Sequence, residues 1–344
     1  MNVAVIGATG YTGLELVRML LQHPTLKLTY VSSDSQAGAM LTKVYPHLKG
    51  LVRHTLQRAE AKEIAEVADL VFTALPSGLS TEIVPELLDT GLKVIDLAGD
   101  HRLTQADYRQ WYQKNPPAQA TLATAVYGLP ELQADKIAQA DLIANPGCYP
   151  TATLLSLLPL VQQGLIETDT LIVDAKSGVS GAGKALSAAT HYVEVNENFK
   201  AYKVGTHQHI PEIEGVLAQA AGHEVILSFT THLVPMTRGI LITAYAKLTE
   251  NRSTADLLAL YEQAYADHPF VRICEAGRMP ETKEVAGSNF CDIGLRVDPR
   301  TQRVTVIGVI DNLVKGAAGQ AIQNANLIAG LDQTTGLIAA PFYF

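Results

Sequence analysis

Cys148 stands in Asn-Pro-Gly-Cys-Tyr-Pro, at the threshold of a long apolar run rather than inside it. Pro146 and Gly147 predict a sharp turn, and Thr151–Val161 predict a helix whose first turn tolerates Pro150. A thiol at or beside a helix N-terminus meets unpaired N–H groups and the positive end of the dipole, which favour thiolate. That is the setting of a nucleophile. Cys274 and Cys291 lie in or near strand-like segments and read as packed core thiols.

A nucleophilic thiol needs a proton acceptor. The stretch "VGTHQHIPEIEG" supplies His207 and His209, which share a face if the segment is extended, and Glu212 to orient an imidazole. Two surface histidines or a zinc pair are the alternatives. Zinc takes three or four ligands, and no second cluster of suitable spacing accompanies the pair. Arg102 closes "VIDLAGDHR". At the carboxyl end of a strand in an open parallel sheet it faces a ligand crevice, where it can clamp a phosphate or carboxylate. Arg238 in "VPMTRGI" is a secondary candidate.

These groups need a frame. "VAVIGATGYTGLELV" puts Gly7, Gly10 and Gly13 between a strand and a helix. The first glycine permits a tight turn, the second lets backbone approach a pyrophosphate, and the third allows close helix–strand packing. This predicts dinucleotide binding. Asp34, about 20 residues further on, suits a ribose 2′-hydroxyl and hence NAD. Ser32, Ser33 and Ser35 suit a 2′-phosphate and hence NADP, although that stretch holds no arginine. "GVSGAGKA" imitates a phosphate loop, but Ala185 stands where the magnesium-binding hydroxyl would be. It reads instead as a glycine-rich loop approaching a ligand or the other domain.

Strand and helix patterns alternate through the first half, predicting a parallel sheet with helices on both faces. Beyond Cys148 longer strands follow one another. The expected class is α/β: a Rossmann-type dinucleotide-binding domain, residues 1–147 with 314–344, plus an α+β catalytic and oligomerisation domain, residues 148–313, with a mixed, largely antiparallel sheet. A chain of 344 residues that is 47% hydrophobic can build two cores. A net charge of −8 without a basic run argues against nucleic acid, and no apolar run reaches the ~18 residues of a membrane span. The N-terminus lacks the pattern of a signal peptide, so a soluble, reducing, cytoplasmic setting is expected.

Taken together, "GATGYTGLELVRML", "YPHLKG", "ALPSG", "VIDLAGDHRL", "YGLPE", "NPGCYPTA", "SGVSGAGK", "HQHIPEI", "VPMTRGI" and "DNLVKGAAGQAIQN" resemble the N-acetyl-γ-glutamyl-phosphate reductases of the aspartate-semialdehyde dehydrogenase superfamily. The resemblance implies reduction of an acyl phosphate by NADPH to a semialdehyde in arginine biosynthesis. Partners would be small molecules, the acyl phosphate and phosphate, and the assembly a homodimer or homotetramer built on the second sheet. It implies Cys148 as nucleophile and His209 as acid/base, with Glu212 one helical turn on and His207 toward substrate. Arg102, Tyr127 and Asn145 would bind substrate. Gly7, Thr9, Gly10, Tyr11, Thr12, Gly13, Ser32, Ser33, Ser35, Gly178, Ser180, Gly181, Asn312 and Gly316 would bind NADP(H). Where the family often has Asp-Leu-Ser-Ala-Asp-Phe-Arg, this chain has "DLAGDHR", without the serine hydroxyl and the phenylalanine. Aspartate-semialdehyde dehydrogenase, a lysine-pathway acyl-phosphate reductase and a non-enzymatic dinucleotide sensor are the competing readings.

Overall fold

In the computed structural model, which describes residues 1–343, the chain divides into two units. The first comprises Met1–Gly147 and Ala317–Ile338, the second Cys148–Gly316 and the tail from Ala339.

The first unit is built on six parallel strands: β1 (Asn2–Ile6), β2 (Lys27–Ser32), β3 (Leu70–Thr73), β4 (Lys93–Asp96), β5 (Ala125–Tyr127) and β6 (Leu142–Ala144). Their order is β2-β1-β3-β4-β6-β5. Ala4, Ile6, Tyr30, Val71, Val94 and Leu142 pack with Ile64, Val84 and Leu87 in one buried cluster. Parallel strands covered on both faces read as unbroken apolar runs, which is why β1, β3 and β4 are legible in sequence. The three-residue strands β5 and β6 are too short to show a period. The helix Gly319–Ile328 returns to this unit, its buried amides serving as connectors. Gln320 and Asn324 donate to Gly128 O at 2.8 and 2.9 Å.

The second unit carries β7 (Ile166–Ser177), β8 (Lys200–Tyr202), β9 (Ser228–Leu233), β10 (Ile240–Leu248), β11 (Val271–Ile273), β12 (Cys291–Asp298) and β13 (Arg303–Ile310). The order is β11-β12-β13-β10-β7-β9-β8, with β7–β9 and β11–β12 parallel and the other pairs antiparallel. Val173, Ala244, Val306 and Leu295 lie in one buried row across the sheet. The helix Cys148–Gln162 packs on that sheet, and every residue from Tyr149 to Val161 is buried. A helix apolar all round belongs in a core, which accounts for the run after the thiol. The adjoining row, offset by one residue, faces the other way and leaves Ile172 and Tyr245 exposed.

The return to the first unit falls at Ala317, inside the π-helical turn Val314–Ala318, rather than at 314. The tail from Ala339 groups with the second unit, not the first. Phe342 donates its N–H to Ala286 O at 2.9 Å. Its ring stands where a side chain of Gly287 (φ +75°) would be.

Candidate active site

Cys148 is the first residue of its helix, and the thiol is neither buried nor bridged. Cys274 and Cys291 are buried, and burial pushes the Cys274 thiol up. Gly316 abuts Cys148: a Cβ added there would lie 2.8 Å from Cys148 Cβ and 3.2 Å from its Cα. Gly316, expected to touch cofactor, is thus required to be small by Cys148 itself.

Tyr149, next in the chain, touches both candidate histidines. Its ring centroid lies 5.4 Å from that of His207 and 6.0 Å from that of His209, edge-on to each. The two imidazoles are 4.7 Å apart. They come together not through an extended segment, as expected, but through a turn. His209 is the N-cap of the helix Ile210–Ala221, and the buried Glu212 lies in its first turn. The His209 N–H donates to His207 Nδ1 at 3.1 Å, so the proton of neutral His207 sits on Nε2. Burial, then His209, then Lys203 push His207 down to about 2. His207 is therefore a neutral, fixed donor and not a base that titrates near neutrality. The Tyr149 and Tyr202 hydroxyls are 3.2 Å apart, and burial raises both, Tyr202 to about 12. Both remain protonated donors. Among the described residues no group of three or more His, Cys, Asp or Glu is placed to hold a metal.

Three loops of the second unit interlock. Gly178 N–H donates to Gly239 O, and Ser180 N–H to Thr237 O. Asn312 donates to Ser180 Oγ at 2.9 Å and accepts from Gly239 N–H at 2.8 Å. A Cβ on Gly178 would meet Thr237 O at 2.8 Å, and one on Gly181 would meet Ser177 Oγ at 2.9 Å. The phosphate-loop imitation thus has a packing cause. Arg238 pairs with the buried Asp311 at 3.2 Å, which fixes the strand end beneath Asn312.

In the first unit the glycine turn fits a dinucleotide. Gly7 has φ +84°, and a Cβ there would lie 2.4 Å from Ala74 O; one on Gly13 would lie 2.2 Å from Gly7 O. Gly10 has ordinary room for a Cβ, its nearest neighbour being 3.6 Å away, so its openness is left for a ligand's approach. Gly10 caps the helix Tyr11–Leu20 without a side-chain bond and without an acid in the first turn, leaving N–H groups for phosphate. Tyr11 and Thr12 open that helix. Thr9 Oγ1 and Ser33 Oγ are 2.7 Å apart, with Ser35 Oγ 3.4 Å beyond. Ser32 is buried. Asp34 is exposed in the short turn Asp34–Gln36.

Arg102 lies beyond β4 in a loop rather than at the strand end, and donates to Leu97 O at 2.7 Å. The loop is anchored by Asp96, buried, which accepts from Thr73 and Ser80 hydroxyls at 2.7 and 2.8 Å. His101 Nδ1 is 2.6 Å from Asp96 Oδ2, both fully buried. A buried hydrogen bond therefore stands where the family pattern has phenylalanine. Tyr127 ends β5, its carbonyl accepting from Gln133 at 2.6 Å. Asn145 is fully buried, donates to Ala317 O at 3.3 Å and accepts from Asn324 at 3.0 Å. That amide ties to the returning helix.

Tyr45, from "YPHLKG", is a residue the sequence did not mark as functional. Its hydroxyl donates to Thr9 O at 2.7 Å and steadies the glycine turn. The partner is a backbone carbonyl 36 residues away, which no local pattern announces.

Residues 2–140 match the family described as semialdehyde dehydrogenase, NAD binding domain, and residues 148–312 that described as semialdehyde dehydrogenase, dimerisation domain. The chain is 52% identical to the N-acetyl-gamma-glutamyl-phosphate reductases of Bacillus cereus (strain B4264) and Bacillus anthracis (strain A0248), over all 344 residues and 100% of each relative. Among solved structures it is similar to aspartate semialdehyde dehydrogenase II complexed with ASA from Vibrio cholerae. The TM-score is 0.73 and the identity 19%, covering 96% of this chain and 98% of that one. The aspartate semialdehyde dehydrogenase with NADP from Candida albicans gives TM-score 0.73, identity 16% and coverage of 95% and 98%. At such identities these structures speak to fold alone.

Proposed function

The chain belongs to the N-acetyl-gamma-glutamyl-phosphate reductases of the semialdehyde dehydrogenase family, and from that membership we propose which residues carry the reaction. It is an NADP(H)-dependent reductase that converts N-acetyl-γ-glutamyl phosphate to the semialdehyde and phosphate in arginine biosynthesis.

Cys148 is the nucleophile in this reading. The observation that carries it is the placement of Tyr149: the residue joined to the thiol packs edge-on against both imidazoles. The thiolate attacks the acyl carbon, the carbon–oxygen bond to phosphate breaks, and a thioester remains on sulfur. The N–H groups of the helix start stabilise the tetrahedral oxyanion; such a donor is worth about 3–4 kcal/mol. When bound, NADPH supplies the hydride that reduces the thioester carbonyl. The resulting thiohemiacetal alkoxide collapses to the aldehyde as the carbon–sulfur bond breaks and sulfur returns as thiolate, with His209 as the acid/base group beside that step. His209 stands at the N-cap of the helix Ile210–Ala221, with its ring 4.7 Å from that of His207. His207, neutral with its proton on Nε2, donates a hydrogen bond to substrate. Glu212, one turn on, orients the pair.

Gly7, Thr9, Gly10, Tyr11, Thr12 and Gly13 hold the pyrophosphate, and Ser33 and Ser35 with Thr9 the 2′-phosphate. Asp34, exposed, points its charge to solvent. Arg102 takes the phosphoryl group of the substrate, and Tyr127 lines its pocket. Gly178, Ser180, Gly181 and Asn312 form a loop knot against the nicotinamide half, with Gly316 behind the thiol.

The dimerisation-domain match supports an oligomer. We place its seam on the open sheet face around Ile172 and Tyr245, with two or four copies associating. Among the described residues no helix is long and apolar enough to cross a membrane. Three unbridged thiols suit a reducing cytoplasm. Cys148→Ser tests the reading: it should fold and bind NADPH yet lose several orders of magnitude in turnover. Near-normal turnover would end the covalent scheme.

A further inference from the structure

We propose that Lys114 is a second cation of the first unit's ligand crevice, recognising a phosphoryl group of the substrate or of the dinucleotide. The inference rests on the reading that this crevice binds phosphorylated ligands.

The carboxyl ends of β1, β3 and β4 carry loops that lace together. Gly7 abuts Ala74, Gly99 N–H donates to Ser77 Oγ at 3.2 Å, and Gly78 N–H donates to both Asp100 carboxylate oxygens at 2.8 Å. The helix Gln105–Tyr112 clamps them from one side. Tyr108 donates to Asp100 at 2.6 Å, and the Tyr112 hydroxyl occupies the place of any Gly99 side chain. The chain then doubles back through Gln113, which is left-handed at φ 53° and ψ 40°. For a residue with a Cβ that conformation costs about 1–2 kcal/mol. Its effect is to return Lys114 over the loop after β3, where Nζ donates to Ser77 O. Gly78, at φ +98°, makes the room: a Cβ there would lie 3.0 Å from Lys114 Cδ and 3.1 Å from Nζ.

An ammonium has three donors, and Ser77 O uses one. Among the described residues no carboxylate is paired with Lys114, and the residue is exposed. A lysine that only closed a surface loop would gain little, because Ser77 O could take water instead. The left-handed Gln113 and the vacant Cβ of Gly78 instead fix a cation over the loop between the glycine turn and the loop of Arg102. The chain carries a net charge of −8, so multiply anionic ligands must be met by cations gathered locally.

Lys114→Gln and Lys114→Arg test this in two arms. NADPH affinity is measured without turnover, by quenching of protein fluorescence. Phosphate is followed through its apparent KM in reverse oxidation of N-acetylglutamate semialdehyde. Losing a charge-assisted hydrogen bond should weaken one of the two by about 10-fold or more in the glutamine variant, with kcat within about threefold and with weaker salt dependence. The arginine variant should recover most of the loss. A change in the NADPH arm assigns the dinucleotide's phosphate, and a change in the other assigns the substrate's. Both affinities unchanged within about twofold would overturn the proposal, whatever happens to Tm. Wild-type protein that failed to oxidise the semialdehyde would overturn the reading of the activity itself, a separate outcome.

Discussion

Replacing Gly316 by alanine adds one methyl group against Cys148, the proposed nucleophile. The new Cβ would start 2.8 Å from Cys148 Cβ and 3.2 Å from both Cys148 Cα and Ile310 Cδ1. Carbon atoms settle at about 3.5–4.0 Å, so Cys148 or the turn must retreat by roughly 1 Å. Gly316 is buried between a core strand and the helix start, and overpacking of that kind costs about 1–3 kcal/mol. A 1 Å misplacement of a reacting group costs on the order of 10²-fold in rate. Backbone strain adds nothing, since Gly316 is absent from the glycines with positive φ. Gly215→Ala is the internal control: its Cβ meets nothing within 4 Å in the middle of a helix, so it should gain about 1 kcal/mol of stability. Two readouts decide the matter, kcat for the reverse oxidation and the rate of Cys148 alkylation by iodoacetamide. The account expects both to fall in Gly316→Ala and neither to move in Gly215→Ala. A Gly316→Ala enzyme with wild-type kcat and wild-type alkylation would refute the claim that this glycine exists to seat the thiol.

His207 is held neutral down to about 2 in the folded protein, against an ordinary value of 6.5. Below about pH 6.5 the unfolded chain takes up a proton that the folded protein refuses, so stability is full above that value and falls on acidification, by up to about 1.4 kcal/mol per pH unit. His207→Gln should flatten that slope by close to one proton between about pH 6 and pH 4.5, measured by denaturant titration; an identical slope would show that His207 titrates normally. Arg102→Ala should raise the apparent KM for phosphate in the reverse direction by about 10–100-fold with a smaller change in kcat, and an unchanged KM would remove it from the phosphate site.

What the sequence discloses here follows the range of the forces involved. Gly7, Gly10 and Gly13 are legible because the turn, the helix start and the close packing all fall within a few residues. Cys148 is legible because proline and glycine mark where its helix begins. The tie made by Asn145 is not legible for the opposite reason: its partner Asn324 lies 179 residues away, and only the fold shows that the amide bridges to the returning helix. His207 and His209 look equivalent as a pair two residues apart. The bond from His209 N–H to His207 Nδ1, together with burial, sets His207 apart as a fixed neutral donor. Lys114 follows an unremarkable helix, and the left-handed Gln113 that redirects it has no sequence signature, since left-handed residues are usually glycine. The strand β12 is hidden for another reason: its value lies in its pairing with β13, not in its own alternation.

The claim on which the rest depends is that Cys148 carries the acyl group. Mixing the enzyme with N-acetyl-γ-glutamyl phosphate without NADPH, quenching in acid and analysing the peptides by mass spectrometry tests it most directly. The account predicts an N-acetylglutamyl thioester on Cys148 that disappears when NADPH is added before the quench. An enzyme that turns over under matched conditions while that peptide stays unmodified would contradict it.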